Sequence, residues 1–225
     1  MNTYRTNALT VGILLIMCSA TAIIGMSVAG SVLAAPDFFS NLAANKNNTI
    51  LAAIIELLWA ASGVSIAVGL FPIIRRHNEG LALASVIFRS IENVLVIIGT
   101  LCLLTLLTLS HDFPSDALGA LLLGVREWAH SIIAIVFFLL GAFMYYLVMY
   151  RSKLIPRWLS GWGIIGVILS LIVTVIGAFN HDFLIGTVNT LFNAPIAVQE
   201  MVLAVWLIAK GFNQPIESNY LKSTQ

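Results

Sequence analysis

Six apolar runs, each about 18 to 30 residues long, leave this chain few ways to fold. A run of about 20 apolar residues, wound as a helix, crosses a hydrocarbon core about 30 Å thick. Inside such a core every backbone N–H and C=O must be satisfied within the segment, which a helix achieves alone. The runs lie at about 8–35, 49–74, 81–109, 117–150, 158–180 and 193–212. They read as an all-α, polytopic transmembrane bundle of six spans, a single integral membrane domain over residues 1–225. Composition agrees, since 60% of the 225 residues are hydrophobic and 9% charged, against about a quarter charged in soluble domains.

The joints carry turn chemistry: "APDFFSNLAANKNN", "RRHNEG", "SHDFPSD" and "RSKLIPR" follow the first four spans. Pro156 suits the first turn of the fifth helix, where its missing N–H has no partner to lose. The first span ends in "SVLAAP", a sequence suited to leader cleavage. Its apolar stretch exceeds the ~7–15 residues of a leader's apolar region, so it reads as a retained helix.

Basic residues give an orientation. With the N-terminus inside, Arg5, Arg75, Arg76, Arg151, Lys153, Arg157, Lys210 and Lys222 face the cytoplasm and only Lys46 faces out. Both termini are therefore expected on the cytoplasmic side. Trp158, Trp162, Tyr145, Tyr146 and Tyr150 read as aromatics of the inner interface, and Trp128 of the outer. The net charge of +1, with no block of Lys and Arg, gives no footprint for nucleic acid; the partner expected is the lipid bilayer. Cys18 and Cys102 fall inside apolar runs and read as small buried hydrophobes.

The informative residues are the charges within the spans. An ionised side chain near the bilayer centre costs at least ~2.5–3.5 kcal/mol on insertion scales, so it needs a partner or a task. Counting along the helices from the cytoplasmic end places Arg89, Glu92 and Glu200 near mid-membrane. Glu56 and His130 come out at similar depths, within about 3 Å of each other, and Arg126 a little further out. Arg126 and His130, four residues apart, share a helix face with Glu127 on its flank. Arg89 has Glu92 three and Asn93 four residues on, so the three can point inward together. Glu56 is expected to touch His130 or Arg126, and Arg89 to pair with Glu92, Glu200 or both.

The charges do not balance. Glu56, Glu92, Glu127 and Glu200 oppose only Arg89 and Arg126, so protonation, a charged His130, a cation or a basic ligand group must complete the set. Each feature also has a plainer reading: Arg89 with Glu92 as a structural ion pair, and "REWAH" (126–130) as a cluster at the outer surface. His77 and Glu79 fit a solvated turn. His111 and His181 each open an "HDF" tripeptide too short to specify a metal. No HExxH, GxSxG or phosphate-cradling glycine loop is present, and His130 with Glu56, Glu127 and Glu200 lacks zinc-site spacing. Neither a metal nor another cofactor is expected.

Five stretches together resemble domain-of-unknown-function family 4386, a group of six-helix prokaryotic membrane proteins. They are "NNTILAAIIELL" (47–58), "RRHNEGLALASVIFRSIENVL" (75–95), "GALLLGVREWA" (119–129), "SKLIPRWLSGWGIIG" (152–166) and "QEMVLAVWLIAKGF" (199–212). The resemblance implies a six-helix bundle in a bacterial cytoplasmic membrane and carries no chemistry. Three functions stay open from the residues. The first is binding or transport of a small polar or cationic solute at a cluster of Arg89, Glu92, Asn93, Glu200, Glu56, Arg126, Glu127 and His130. The second is a structural or regulatory protein whose charges specify packing. The third is an intramembrane enzyme using a glutamate or His130 in acid–base or metal chemistry.

Overall fold

A computed structural model describes residues 3–34, 37–112, 114–180 and 187–213; His181 and Lys222 lie outside them. The described residues form helices α1 (Thr3–Leu33), α2 (Phe38–Ala44), α3 (Lys46–Ile74), α4 (Glu79–Asp112), α5 (Asp116–Glu127), α6 (Ala134–Ser152), α7 (Arg157–Phe179) and α8 (Thr187–Ala209). Trp128–Ile133 is a π-helical turn joining α5 to α6, so these three pieces make one long span, Asp116–Ser152. Among the described residues, six stretches are long and apolar enough to cross a membrane. Two features were not apparent from the apolar pattern. The connection after α1 contains the short helix α2, and the fourth span is interrupted by the π turn, where the Ala134 N–H reaches back to Ala129.

Local chemistry sets the ends. The Asp37 carboxylate caps α2, accepting from the Ser40 N–H at 3.1 Å and the Ser40 hydroxyl at 2.5 Å; the hydroxyl bond foremost holds its carboxyl below the ordinary pKa. Asn78 Oδ1 accepts from the Leu81 N–H at 2.9 Å and starts α4. Lys153 ends α6 in the left-handed region, at φ 56°. Pro156 sits one residue before α7 rather than inside it.

The six spans form a ring. Each packs on the next in the order α1, α3, α4, α6, α7, α8, and α8 closes on α1. Arg5 makes the closure visible, donating to the Ile208 carbonyl at 2.7 Å at the C-terminal end of α8. A cation is favourable there because the last carbonyls of a helix lack intrahelical partners. Arg76 meets Tyr4 at the same end, and the Asn213 N–H reaches the Leu154 carbonyl at 2.8 Å. The two ends of the described chain, the α3–α4 turn and the α6–α7 turn thus share one end of the bundle, as do Arg5, Arg75, Arg76, Arg151, Lys153, Arg157 and Lys210.

Along its axis the interior is layered. A large apolar cluster including Leu70, Ile74, Met149, Ile155 and Leu207 fills the end near the termini. A second, with Phe39 and Leu42 of α2 against Leu103 and Leu106, fills the far end. Between them the apolar core thins to Ala60, Val96 and Ala134, and the polar residues gather there. Tyr145 and Tyr146 depart from the interfacial reading. Both are buried, because α6 runs between α4 and α7 in the ring. Tyr150 and Trp158 remain exposed.

Candidate functional site

The interior polar residues form two groups. The one nearer the far end centres on Glu56, which has no exposed surface. Arg126 of α5 grips it with two nitrogens, Nη2 on Oε1 and Nη1 on Oε2, the latter at 3.1 Å. Arg126 Nη1 also donates to the Gly99 carbonyl at 2.7 Å, and the Thr100 hydroxyl donates to Glu56 Oε2 at 2.7 Å. A carboxylate bridged by a planar guanidinium and served by a hydroxyl is a well-satisfied buried ion. The expected partner choice resolves to Arg126. His130 turns instead to the Val96 carbonyl, 2.9 Å from Nε2; a carbonyl can only accept, so Nε2 carries the proton. Its ring stands edge-on to Trp59, with centroids 5.4 Å apart. "REWAH" is therefore not a surface cluster as a unit: Arg126 and His130 are buried within the bundle, while Trp128 is exposed.

The second group is carried by α4. Arg89, Glu92 and Asn93 are all buried, as their spacing implied. Arg89 Nη1 lies 2.9 Å from Glu92 Oε2 and donates to Oε1 at 3.2 Å; its guanidinium also lies 4.8 Å from the Phe138 ring centre. Asn93 folds back to the Arg89 carbonyl, Nδ2 donating at 2.6 Å. Glu200 of α8 does not join this ion pair. Its Oε1 receives one long hydrogen bond, 3.5 Å, from the Tyr145 hydroxyl. Among the described residues no Lys, Arg or His nitrogen comes within 4.0 Å of it.

Glycines make room for these side chains. A Cβ on Gly63 would fall 2.7 Å from Asn93 Nδ2, on Gly99 2.8 Å from His130 Nε2, and on Gly141 3.0 Å from Arg89 Cγ. Each polar side chain thus lies against a neighbouring backbone that has no side chain at that point.

A cavity of about 170 Å³ opens between α1, α3, α4, α6 and α8. Arg89, Glu92, Glu200 and His130 supply its polar wall, and Trp59 and Phe138 its aromatic one. Among the buried polar atoms of its wall residues, Arg89 Nε has no hydrogen-bond partner, and Glu92 Oε2 has only its ion-pair contact with Arg89 Nη1. A separate groove of about 350 Å³ is bordered by Met26, Leu33, Leu123, Arg126, Glu127 and His130. His130 therefore borders both spaces. Glu56 and Arg126 are spent on each other, and Asn93 faces α3 at Gly63 without lining the cavity.

Sequence reasoning missed part of this interior. Cys18, Ser19 and Ala22 of α1 line the cavity. Gln199 is fully buried, accepting from the Tyr146 hydroxyl at 2.5 Å and donating to the Leu159 carbonyl at 3.1 Å. The pair Gln199–Glu200 in an apolar span was a usable signal. Among the described residues no group of three His, Cys, Asp or Glu side chains is placed to hold a metal ion.

Residues 10–211 match a family described as a domain of unknown function, DUF4386. The chain belongs to that family. The match covers all six spans except the first few residues of α1, so the ring and both polar groups lie within the DUF4386 region. No curated protein and no solved structure shows significant similarity to the chain.

Proposed function

We propose that this DUF4386 member binds, and passes across the membrane, a small polar or cationic solute held at the central cavity by Arg89, Glu92 and Glu200. The observation that carries the reading is Glu200. Of the interior carboxylates, Glu56 and Glu92 have arginine partners, whereas among the described residues Glu200 has one long hydrogen bond and no cation within reach, and it faces a cavity. An acid kept in a membrane span without a cation is costly unless something else serves it. Binding at the midplane between helices of a bundle is also where transporters hold their solutes.

On the same reading the protein lies in a bacterial cytoplasmic membrane with both termini inside. The basic residues gathered at the termini end support that orientation, since short cytoplasmic loops carry an excess of Lys and Arg. The lipid bilayer is its one assigned partner.

A second reading has its own support. The Glu56–Arg126 pair joins α3 to α5 and the Arg89–Glu92 pair lies within α4, and both are consistent with charges that specify packing alone. Glu200→Gln separates the two. As a solute site, the variant keeps the parent's melting behaviour in detergent and loses stabilisation by solutes that protect the parent. As a packing element, it melts lower and no solute distinguishes it from the parent.

A further inference from the structure

Resting on the reading of the central cavity as a solute site, we infer that its ligand is a small monovalent organic ammonium, seated with its charge between Glu200 and Glu92 and its short body against Trp59 and Phe138. Charge is the first argument. Glu92 and Glu200 face the cavity with one guanidinium, that of Arg89, and the His130 ring, whose Nε2 is taken by the Val96 carbonyl; with both acids ionised and His130 neutral, one positive charge is missing.

Hydrogen bonding is the second. Glu92 Oε2, on a residue only 3% exposed, touches Arg89 Nη1 at 2.9 Å but receives no aligned hydrogen bond. Among the described residues, Glu200 has a single long bond, from Tyr145. A buried polar group is normally satisfied, and one left open beside a cavity marks where a ligand donor belongs. An ammonium brings three donors and no acceptor. Arg89 Nε, the remaining unpartnered donor, calls for an acceptor such as a hydroxyl on the same ligand.

Size and wall chemistry complete the case. A cavity near 150 Å³ holds a molecule the size of benzene, so about 170 Å³ suits about six to eight non-hydrogen atoms. Leu15, Ile66 and Ile135 form much of the wall. A hard inorganic cation takes about six oxygen ligands, and this mostly apolar wall does not offer them. An ammonium on an aliphatic stem needs few acceptors and is attracted by aromatic faces.

Three probes of nearly one shape test the charge: 4-amino-1-butanol (protonated at neutral pH), 1,4-butanediol and 4-hydroxybutyrate. Binding to the full-length protein in detergent is read by thermal shift and calorimetry. The expected result is that 4-amino-1-butanol binds at least tenfold tighter than the diol, and that the hydroxy acid does not bind. Glu200→Gln should remove that preference, and Ala22→Leu, which fills the cavity without touching a charge, should abolish binding even if the glutamate variant fails to fold. If the diol binds as well as the ammonium, and Ala22→Leu blocks both, the cation assignment falls while the solute site stands. If none of the probes binds the parent at tens of millimolar, the solute-site reading falls with it.

Discussion

Arg126→Met would leave the Glu56 carboxylate fully buried with a single donor, the Thr100 hydroxyl at 2.7 Å. In the parent that carboxylate accepts three hydrogen bonds, two of them from Arg126. Breaking a buried pair by removing one partner costs ~3–5 kcal/mol, because the remaining charge is left uncompensated. For a chain of this length each kcal/mol moves the melting temperature by about 2–4 °C, so the variant should melt roughly 6–20 °C below the parent. The partner also loses its hold on the Gly99 carbonyl, which adds to the effect. Replacing both residues, Glu56→Met with Arg126→Met, removes the stranded charge and should recover most of the loss, since packed apolar groups often replace a buried pair at little cost. Thermal melts of the four proteins in one detergent give the coupling energy, expected at about 2 kcal/mol or more for groups in direct contact. An Arg126→Met protein melting within about 2 °C of the parent, or a double variant no better than the single, would refute the assignment of this pair as the brace between α3 and α5.

Gly99→Ala should destabilise by about 1–3 kcal/mol, as overpacking does, because its Cβ would fall 2.8 Å from His130 Nε2; Gly30→Ala, with nothing within 4 Å of its Cβ, should melt at or above the parent temperature. Lys153→Gly should raise stability by about 1 kcal/mol, since φ 56° costs a residue with a Cβ and not glycine; a lower melting temperature would show that the lysine side chain contributes more than the backbone loses. With Cys18 and Cys102 replaced, single cysteines at the exposed positions Asn48 and Asp116 should react with an impermeant thiol reagent in intact cells. One at Asn78 should react only after lysis, and the opposite pattern would invert the proposed topology.

How much of this structure is legible in the sequence depends on which physical signal a residue carries. The spans are, because the requirement for about 20 apolar residues is set by the bilayer and is written in one dimension. The membership of α4's polar face is too: Arg89, Glu92 and Asn93 lie at helical spacing and are all buried. Depth counted along the helices brought Glu56 level with the "REWAH" stretch, but depth is one coordinate of three. It could not choose between Arg126 and His130, nor tell that Glu200, level with Arg89, would remain apart from it.

Those choices required the ring. In a soluble helix the contrast between apolar and polar faces reveals which side packs inward. Here Ile23 and Leu101 face outward and Leu15 and Leu103 face inward, all of them apolar, so the pattern is silent about rotation. Tyr145 and Tyr146 were misplaced for the same reason: aromatic residues before Arg151 look alike whether they anchor an interface or fill a core. Only the order of helices around the bundle, with α6 between α4 and α7 and α8 closing on α1, decides which charges meet and which one faces an open space. Composition and periodicity determined that this chain is a six-span helical bundle with charges to satisfy. Tertiary structure decided how they are satisfied, because lipid and protein interior are both apolar and ask the same residues of a helix.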